Sequence, residues 1–479
     1  MMFIVGESWT SRLDGRDQTT PNPPVATDRS WPRAARKRPA QSLLLAAASM
    51  TRSPGLNLLA SLCFLATSGC TSQKVLQSTA STASTASTSE AAPSWIRTND
   101  GPSKVRLSGW GEVVLSNGLV LGVGRAQNEA SLLGFLYHPE SNRWTKTPSV
   151  SGVDALGEHL STLPDGQALA FGVDRAERHT LALKFDSARS EWRVAGMLPE
   201  LGVGTFSRKV ASLADGRFLV LDGRDARTAW VYDEKTEAWS QTAPIPRVTS
   251  EVVLATSLGD GRVFVIFGDM TPVQGWIGMV YDAAGDRWLE CRPGSTTMRG
   301  EPDGVLRLPD GSILLLGFQQ YPTIEFAPII FRPDVMKWES AGHLPGGDFL
   351  EARSPTLLPN RKVLALQHGV AAGTMRAIVF DPARRAWRVD GDLPDGYSGA
   401  VILGARKDGS VWAIDFRSNV LRDELVRGPF DGVWRNAGAL PRGAVAWGPS
   451  GDPEGDVLLY TGPNDRGDSA IDGAHLFRP

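Results

Sequence analysis

Three glutamates fall at matching places in the sequence and could form a binding site together with nearby arginines. Glu251, Glu301 and Glu351 each lie nine residues before a tight-turn dipeptide, and successive glutamates are fifty residues apart. The arginines close to these positions are Arg208, Arg299 and Arg353. Carboxylates and guanidinium groups that lie together at one site can bind a sugar, a peptide or a cation. The alternative is a solvated, salt-bridged rim that binds nothing.

The segments that carry these residues belong to a repeat. A Tyr or Phe, six intervening residues and a Trp recur along the chain, and two further tryptophans continue the series, so that the eight tryptophans lie 47 to 50 residues apart. The series consists of Trp95, Tyr137/Trp144, Phe185/Trp192, Tyr232/Trp239, Tyr281/Trp288, Phe331/Trp338, Phe380/Trp387 and Trp434. A fixed period of this length is typical of repeat architectures.

A second mark keeps register with the first. Tight-turn dipeptides precede apolar runs at Asn117-Gly118, Asp165-Gly166, Asp215-Gly216, Asp260-Gly261, Asp310-Gly311, Asn360-Arg361, Asp408-Gly409 and Glu454-Gly455. Such dipeptides favour β-hairpins because glycine accepts positive φ. Each unit is therefore predicted to contain four strands. Strand a lies before this turn, strand b follows it, strand c ends at the Tyr or Phe, and strand d contains the Trp. The three glutamates are expected at the start of strand a, the innermost strand.

Radial repetition of four antiparallel strands is a propeller blade. We therefore expect an all-β, closed β-propeller over residues 95–479, with about eight blades and seven as the alternative. The chain begins its first unit on strand d and ends on strand c. The strand that contains Trp95 is thus expected to pair with the strand that contains Phe477. This pairing would close the ring and cover an otherwise exposed strand edge.

The pattern resembles the kelch repeat over residues 95–479. A kelch unit usually carries a Gly-Gly pair after strand b, whereas this chain mostly carries one glycine, at Gly172, Gly223, Gly268, Gly317 and Gly369. The seventh unit, from Val411 to Asp415, lacks it. We interpret the Trp, Tyr and Gly residues of the repeat as architecture. The a–b and c–d turns are short and alike, so a ligand is expected on the other face, formed by the more varied b–c and d–a connections.

Galactose oxidase has this kelch-type architecture and sets a test for an enzyme. The resemblance implies a copper site of two His, two Tyr and a Cys joined to one Tyr. Here Tyr137, Tyr232 and Tyr281 belong to the repeat, and Cys291 is the one cysteine of the propeller region. The histidines show no metal-ligand spacing. We therefore predict no metal, no cofactor and no catalytic residue.

Charge excludes one class of partner. Residues 1–94 carry 9 Lys+Arg and 5 Asp+Glu, which leaves 41 and 47 of the chain's 50 and 52 for residues 95–479, a net charge of −6 there. Nucleic-acid affinity comes mainly from clustered cations. An acidic body therefore predicts no nucleic-acid binding.

The N-terminal region predicts export. Residues 1–49 are rich in Arg and Pro and read as a disordered or non-native extension. Residues 50–70 have the layout of a signal peptide, with an apolar run from Leu56 to Ala66 that is too short to span a bilayer. Its end, Ser68-Gly69-Cys70, resembles a bacterial lipoprotein box and predicts lipidation of Cys70; cleavage after Ser68 without lipid is the alternative. Residues 71–94 form a Ser/Thr/Ala-rich linker.

Together these features predict a binding or interaction scaffold in the bacterial envelope, lipid-anchored at the outer membrane or in the periplasm, or else secreted. The ligand is expected to be a glycan, a peptide or a partner protein, and the lipid anchor is the one expected contact with a membrane. The alternative function is a carbohydrate-active enzyme, of isomerase or hydrolase type, that uses the rim carboxylates.

Overall fold

A computed structural model describes residues 94–478 with short gaps. The gaps are 129–130, 164, 175, 177–178, 199–208, 222–227, 247–250, 269–275, 296–297, 300–301, 318, 321–326, 347–348, 372–373, 395–396, 398, 418–419, 429–431, 443, 450–456 and 463–469. For some strand residues, Glu251 and Arg299 among them, the backbone is described and the side chain is not.

The strands of these residues form eight antiparallel sets of four, which we call blades 1 to 8 in chain order. The first strand, β1 (Ser94–Arg97), belongs to blade 8. Blade 1 contains β2 (Val105–Val114), β3 (Val120–Ala126), β4 (Ser131–His138) and β5 (Arg143–Lys146), with β6 (Val150–Ser151) beside β4. Blade 2 contains β7 (Val153–Thr162), β8 (Ala168–Asp174), β9 (Thr180–Asp186) and β10 (Glu191–Leu198). Blade 3 contains β11 (Lys209–Ser212), β12 (Arg217–Leu221), β13 (Ala229–Asp233) and β14 (Ala238–Gln241).

The remaining blades repeat this order. Blade 4 contains β15 (Glu251–Ser257), β16 (Arg262–Gly268), β17 (Ile277–Asp282) and β18 (Arg287–Ser295), followed by β19 (Met298–Arg299). Blade 5 contains β20 (Gly304–Arg307), β21 (Ile313–Leu316), β23 (Ile329–Arg332) and β24 (Lys337–Ser340), while β22 (Gln319–Gln320) pairs with β19. Blade 6 contains β25 (Phe349–Leu357), β26 (Val363–Gly369), β27 (Met375–Asp381) and β28 (Ala386–Asp392). Blade 7 contains β29 (Val401–Ala405), β30 (Val411–Arg417), β31 (Val420–Arg427) and β32 (Trp434–Ala439). Blade 8 contains β33 (Ala444–Pro449), β34 (Val457–Thr461), β36 (Gly473–Arg478) and β1, while β35 (Ala470–Ile471) pairs with β2.

The ring closes as expected from the sequence. Strand β1 pairs antiparallel with β36, and Trp95 lies opposite Phe477. An apolar cluster fills the space between each pair of neighbouring blades, including the pair formed by blades 8 and 1. The predicted all-β propeller fold is therefore confirmed. The described residues contain no helix, and hence none long and apolar enough to cross a membrane.

Burial explains the composition of each strand. Blades cover both faces of the second strand, so β8 is buried along all but its last residue and reads as an apolar run. The fourth strand lies at the outer edge, and β28 has no buried residue. The turn glycines have the positive φ that the dipeptides predict, for example 84° at Gly166 and 85° at Gly311. Arg361 takes this place in blade 6 with φ of 65°.

The repeated aromatic residues hold blades together, as predicted. Within a blade, Tyr137 packs on Trp144 with ring centroids 5.0 Å apart. Between blades, Trp387 of blade 6 donates its indole N–H to the Ala341 carbonyl oxygen of blade 5 at 2.9 Å. Cys291 is fully buried at the same kind of interface, between blades 4 and 5.

First strands of neighbouring blades contact each other around the ring, as in the pairs β2–β7, β11–β15, β20–β25, β25–β29 and β33–β2. They are therefore the innermost strands. Several carry register shifts typical of β-bulges, among them β2, β7, β15, β25, β29 and β33. The start of each first strand lies at the varied face, because antiparallel pairing places it beside the end of the second strand.

Candidate functional site

The structure brings two of the six sequence-predicted site residues together. Glu351 and Arg353 both lie on β25, the innermost strand of blade 6, near its start at the varied face. Glu251 is the first residue of β15, and Arg299 is the second residue of β19, opposite Gln319. Their side chains are outside the description. Glu301, Arg208 and the predicted lipidation site Cys70 lie outside the described residues altogether.

Arg353 is the centre of a charged cluster. Its Nε atom is shielded from solvent, and its Nη2 atom lies 3.8 Å from the Met375 sulfur. Burial lowers the pKa of Arg353, and the carboxylates of Glu351, Asp303 and Asp415 act in the opposite direction. We call Asp303, Glu351, Arg353 and Asp415 the inner-strand cluster.

A distorted strand presents Arg353. Strand β25 has register shifts before Ala352 and after Arg353, and Ser354 has φ of +50°. The other described non-glycine residues with positive φ lie in turns or bends. Gly304 of blade 5 allows this bulge to approach, since a Cβ at that position would lie 2.3 Å from Pro355 Cδ. Bulges re-aim side chains beside functional sites, and non-glycine residues with positive φ concentrate there.

Asp415 enters the cluster from blade 7. It is fully buried, it lies at the register shift between Ile414 and Phe416 of β30, and its Oδ1 accepts a hydrogen bond from the Gly399 N–H at 3.2 Å. Our sequence analysis missed it as a site residue. The available signal was that Asp415 stands six residues after the turn glycine, where blades 2 and 5 have Gly172 and Gly317.

Asp303 enters from blade 5 and was also missed. Its backbone N–H donates to the Leu316 carbonyl oxygen at 3.0 Å. Gly317 has φ of +77°, and a Cβ there would lie 2.6 Å from Asp303 Oδ2 and 2.3 Å from Asp303 Cβ. The single glycine after strand b therefore has a specific use in this blade: it leaves room for the aspartate.

A buried pair supports the loop that leads into Glu351. Arg376 Nη2 donates to the carbonyl oxygens of Pro345 and Gly346 at 2.7 and 2.8 Å, and its Nε donates to Gln367 Oε1 at 2.9 Å. Gln367 Nε2 in turn donates to the Leu350 carbonyl oxygen at 3.0 Å. Burial lowers the pKa of Arg376, which remains the donor of three hydrogen bonds. These bonds hold the loop on β26 and β27.

The cluster has a defined chemistry. The guanidinium of Arg353 and the three carboxylates that act on its pKa, which come from three adjacent blades, give a formal charge of −2. Leu350 and Val370 add apolar surface at the same end of blade 6, with 43% and 63% exposure. Such a surface can accept hydrogen bonds from hydroxyl or ammonium groups while its edge contacts carbon. In the part of the chain that the structure describes, no three His, Cys, Asp or Glu side chains are grouped to hold a metal ion.

Comparisons with known proteins give fold-level likeness alone. No protein-family model matches the chain, and no curated protein matches it. Among solved structures, an oligogalacturonate lyase in complex with manganese has a TM-score of 0.45 and 11% identity, covering 81% of this chain and 96% of the lyase. A fungal alcohol oxidase of the AA5 family, in complex with copper, has a TM-score of 0.42 and 14% identity, covering 81% of this chain and 76% of the oxidase. At these values no residue role is transferred from either protein.

Proposed function

We propose that this protein is a binding scaffold that recognises a ligand on its varied face through the inner-strand cluster. The observation that carries the proposal is the position of Arg353 on the innermost strand of blade 6, where its Nε atom is shielded from solvent and carboxylates from blades 5, 6 and 7 act against the lowering of its pKa by burial. Taking a guanidinium and carboxylates out of water costs free energy. Their arrangement on a bulged strand is better explained by recognition than by stability.

The ligand that fits is rich in hydroxyl or ammonium groups, as in a glycan or a basic segment of a peptide or partner protein. Two carboxylates of the inner-strand cluster differ in how accessible they are to a ligand. Asp415 Oδ1 already accepts a backbone hydrogen bond, whereas Glu351 is partly exposed to solvent. Glu351 is therefore the proposed first contact, and Arg353 and Asp415 form the floor. Support from Arg376 and Gln367 keeps the loop at Glu351 in one conformation, which lowers the entropy cost of binding.

We further propose that the protein acts in the bacterial envelope, lipid-anchored at Cys70 or secreted. The signal layout of residues 50–70 and the Ser/Thr/Ala-rich linker of residues 71–94 support this location. A flexible linker would let a rigid propeller sample ligands at a distance from the membrane.

A glycan and envelope-protein binding screen with the full chain tests the proposal. Any ligand found is then titrated against Glu351→Gln, the triple variant that also carries Glu251→Gln and Glu301→Gln, and the control Glu140→Gln. Glu140 is exposed in a c–d turn on the opposite face. We expect the dissociation constant to rise about tenfold in Glu351→Gln, as for loss of one charged hydrogen bond, and further in the triple variant.

The outcomes separate the possibilities. Equal affinity of the wild type and both glutamine variants for the ligand would show that the ligand does not bind through the glutamates of the varied face. Turnover of a sugar by the wild type, lost in Glu351→Gln and kept in Glu140→Gln, would replace the scaffold with a carbohydrate-active enzyme.

A further inference from the structure

Charge is distributed unevenly over the face formed by the a–b and c–d turns, which we call the short-turn face. In blades 2, 3 and 4 these turns contain five cationic and ten acidic residues, and they span 163–167, 186–191, 213–217, 233–238, 258–262 and 282–287. The two turns of blade 6 and the a–b turn of blade 7 contain six cationic and two acidic residues, and they span 358–362, 381–386 and 406–410. One side of this face is therefore acidic, and the side across the ring is basic.

Five of the six cations form one patch. We call it the basic turn patch, and it consists of Arg361, Lys362, Arg384, Arg406 and Lys407. The sixth cation, Arg385, pairs with Glu339 of blade 5. The a–b turns of blades 6 and 7 flank the same apolar cluster, to which Leu358 and Val411 belong. The patch therefore extends across the boundary between these two blades.

The carboxylates within the patch are fewer than its cations. Asp381 Oδ2 lies 3.5 Å from Lys362 Nζ and 2.8 Å from Arg384 Nη1, so two cations share one carboxylate. Asp408 Oδ1 accepts hydrogen bonds from the backbone N–H and the hydroxyl of Ser410 at 2.8 and 2.7 Å. The patch thus has a net positive charge, and Arg361, Arg384 and Lys407 are exposed.

The turn sequence of blade 6 adds to this charge at a conformational cost. Where blades 2, 3, 4, 5 and 7 have Asp-Gly, blade 6 has Asn360-Arg361. Asn360 Oδ1 accepts the Lys362 N–H at 3.1 Å, as Asp215 Oδ1 accepts the Arg217 N–H at 3.2 Å, so the turn itself does not require the exchange. Arg361 has φ of 65°, a conformation that favours glycine. Blade 6 therefore places a cation at a strained, exposed position where the other blades have none.

The N-terminal residues reach the propeller on this same face. Strand β1 begins at Ser94, opposite Arg478 at the end of β36. At that end of blade 8, Phe477 lies opposite Val457, which is the first residue of β34 after the a–b turn. The start of β1 is therefore at the short-turn end of the blade. The varied face lies at the other end.

The patch and the start of β1 are also close around the ring. The a–b turn of one blade contacts the c–d turn of the next, as Arg217 Nη2 does by donating to the Ala283 carbonyl oxygen at 3.4 Å. Trp412, near the a–b turn of blade 7, packs on Phe477 with ring centroids 4.8 Å apart. The a–b turn that carries Lys407 therefore lies at the boundary between the same two blades as the start of β1.

We propose that the basic turn patch docks on the anionic surface of a phospholipid bilayer, as a membrane contact in addition to the lipid anchor. This inference rests on the proposed envelope location. Lys and Arg side chains are attracted to anionic headgroups within a Debye length of about 8–10 Å, so the acidic turns across the ring oppose this attraction only weakly. Residues 71–93 join Cys70 to β1 and hold the patch near the bilayer. Docking in this orientation turns the varied face, with Glu351, toward ligands and away from the membrane.

Binding of the full chain to vesicles tests the patch. The vesicles contain phosphatidylglycerol mixed with phosphatidylcholine, or phosphatidylcholine alone, and every protein carries Cys70→Ala so that no lipid is attached. We expect the triple variant Arg361→Gly, Arg384→Gln, Lys407→Gln to bind the anionic vesicles more weakly on the order of a hundredfold, because each cation near such a surface strengthens binding about fivefold. Binding to the neutral vesicles should not change.

Two single variants make the test specific. Arg361→Gly gives the turn the Asn-Gly sequence of blade 1 and relieves the positive φ, so we expect it to be at least as stable as the parent protein while its binding to anionic vesicles weakens about fivefold. Arg189→Gln is the matched control for Arg384→Gln. The two arginines occupy the same place in their c–d turns, pair with Asp186 and Asp381, and are both 77% exposed. Arg189→Gln should leave vesicle binding unchanged.

Three results would overturn the proposal. They are unchanged binding of the triple variant to anionic vesicles, equal losses in Arg384→Gln and Arg189→Gln, and patch-dependent binding of a DNA duplex that matches binding to the vesicles at the same ionic strength. A failure of the ligand site is a separate result, because Glu351→Gln alters the opposite face. An absence of lipid on Cys70 is also separate, because the vesicle measurement already uses Cys70→Ala.

Discussion

Trp95 stacks beside Phe477, with ring centroids 4.7 Å apart, although the two residues lie at opposite ends of the described chain. Phe477 also contacts Trp412 of blade 7 at 4.8 Å, so it is held between two indole rings. The last blade is thus completed by the first strand, which covers the edge of β36 that would otherwise be exposed.

Truncation of Trp95 should test the contribution of this seal. We expect Trp95→Ala to lower the free energy of unfolding by about 2–3 kcal/mol, because the partly buried indole packs in the cluster between blades 7 and 8. Ile96→Ala on the same strand removes a side chain that is 39% exposed and should cost under about 1 kcal/mol. Urea denaturation measures both, and equal losses would show that Trp95 has no special role in closure.

The indole N–H bonds between blades can be measured separately from indole packing. Trp387→Phe removes the bond to the Ala341 carbonyl and should cost about 1 kcal/mol beyond the change in ring size. Trp338→Phe is the matched variant, since the Trp338 Nε1 is buried with no hydrogen-bond partner among the described residues. The midpoint temperature of thermal unfolding should therefore be lower for Trp387→Phe than for Trp338→Phe. The reverse order would contradict a stabilising role of the hydrogen bond between blades.

Gly317 should be less replaceable than a turn glycine. Gly317→Ala combines a positive φ with an overlap against Asp303, so we expect a loss of about 2–4 kcal/mol. Gly311→Ala shares the positive φ, of 85°, but meets nothing within 4 Å, and should cost about 1 kcal/mol. Chemical denaturation compares the two variants. Similar losses would mean that the Asp303 side chain moves aside freely.

Lipidation of Cys70 is testable by cell fractionation. We expect Cys70→Ala to move the protein from the detergent phase to the aqueous phase, because one residue carries the proposed anchor. Cys63→Ala, within the apolar run, is the control and should leave partitioning unchanged. Detergent partitioning that survives in Cys70→Ala would exclude the anchor.

Much of the fold could be predicted from the sequence alone. The Trp95 series and the turn dipeptides are local signals, since a glycine at positive φ and an aromatic pair across a c–d turn are decided by residues close in sequence. The starting strand d and the final strand c then predicted the pairing of Trp95 with Phe477. The placement of Glu351 and Arg353 on an innermost strand followed from the same register.

The composition of the site and of the closure was decided by tertiary structure. Asp303 and Asp415 come from blades 5 and 7 and both act on the pKa of Arg353, which lies between two register shifts of β25, while Asp415 lies at a register shift of β30. Trp110 and Tyr460 are 350 residues apart in sequence, and their ring centroids lie 5.4 Å apart because blade 8 packs on blade 1. Periodicity determines which strand a residue occupies, whereas contacts across blades depend on packing between sheets that no local pattern encodes.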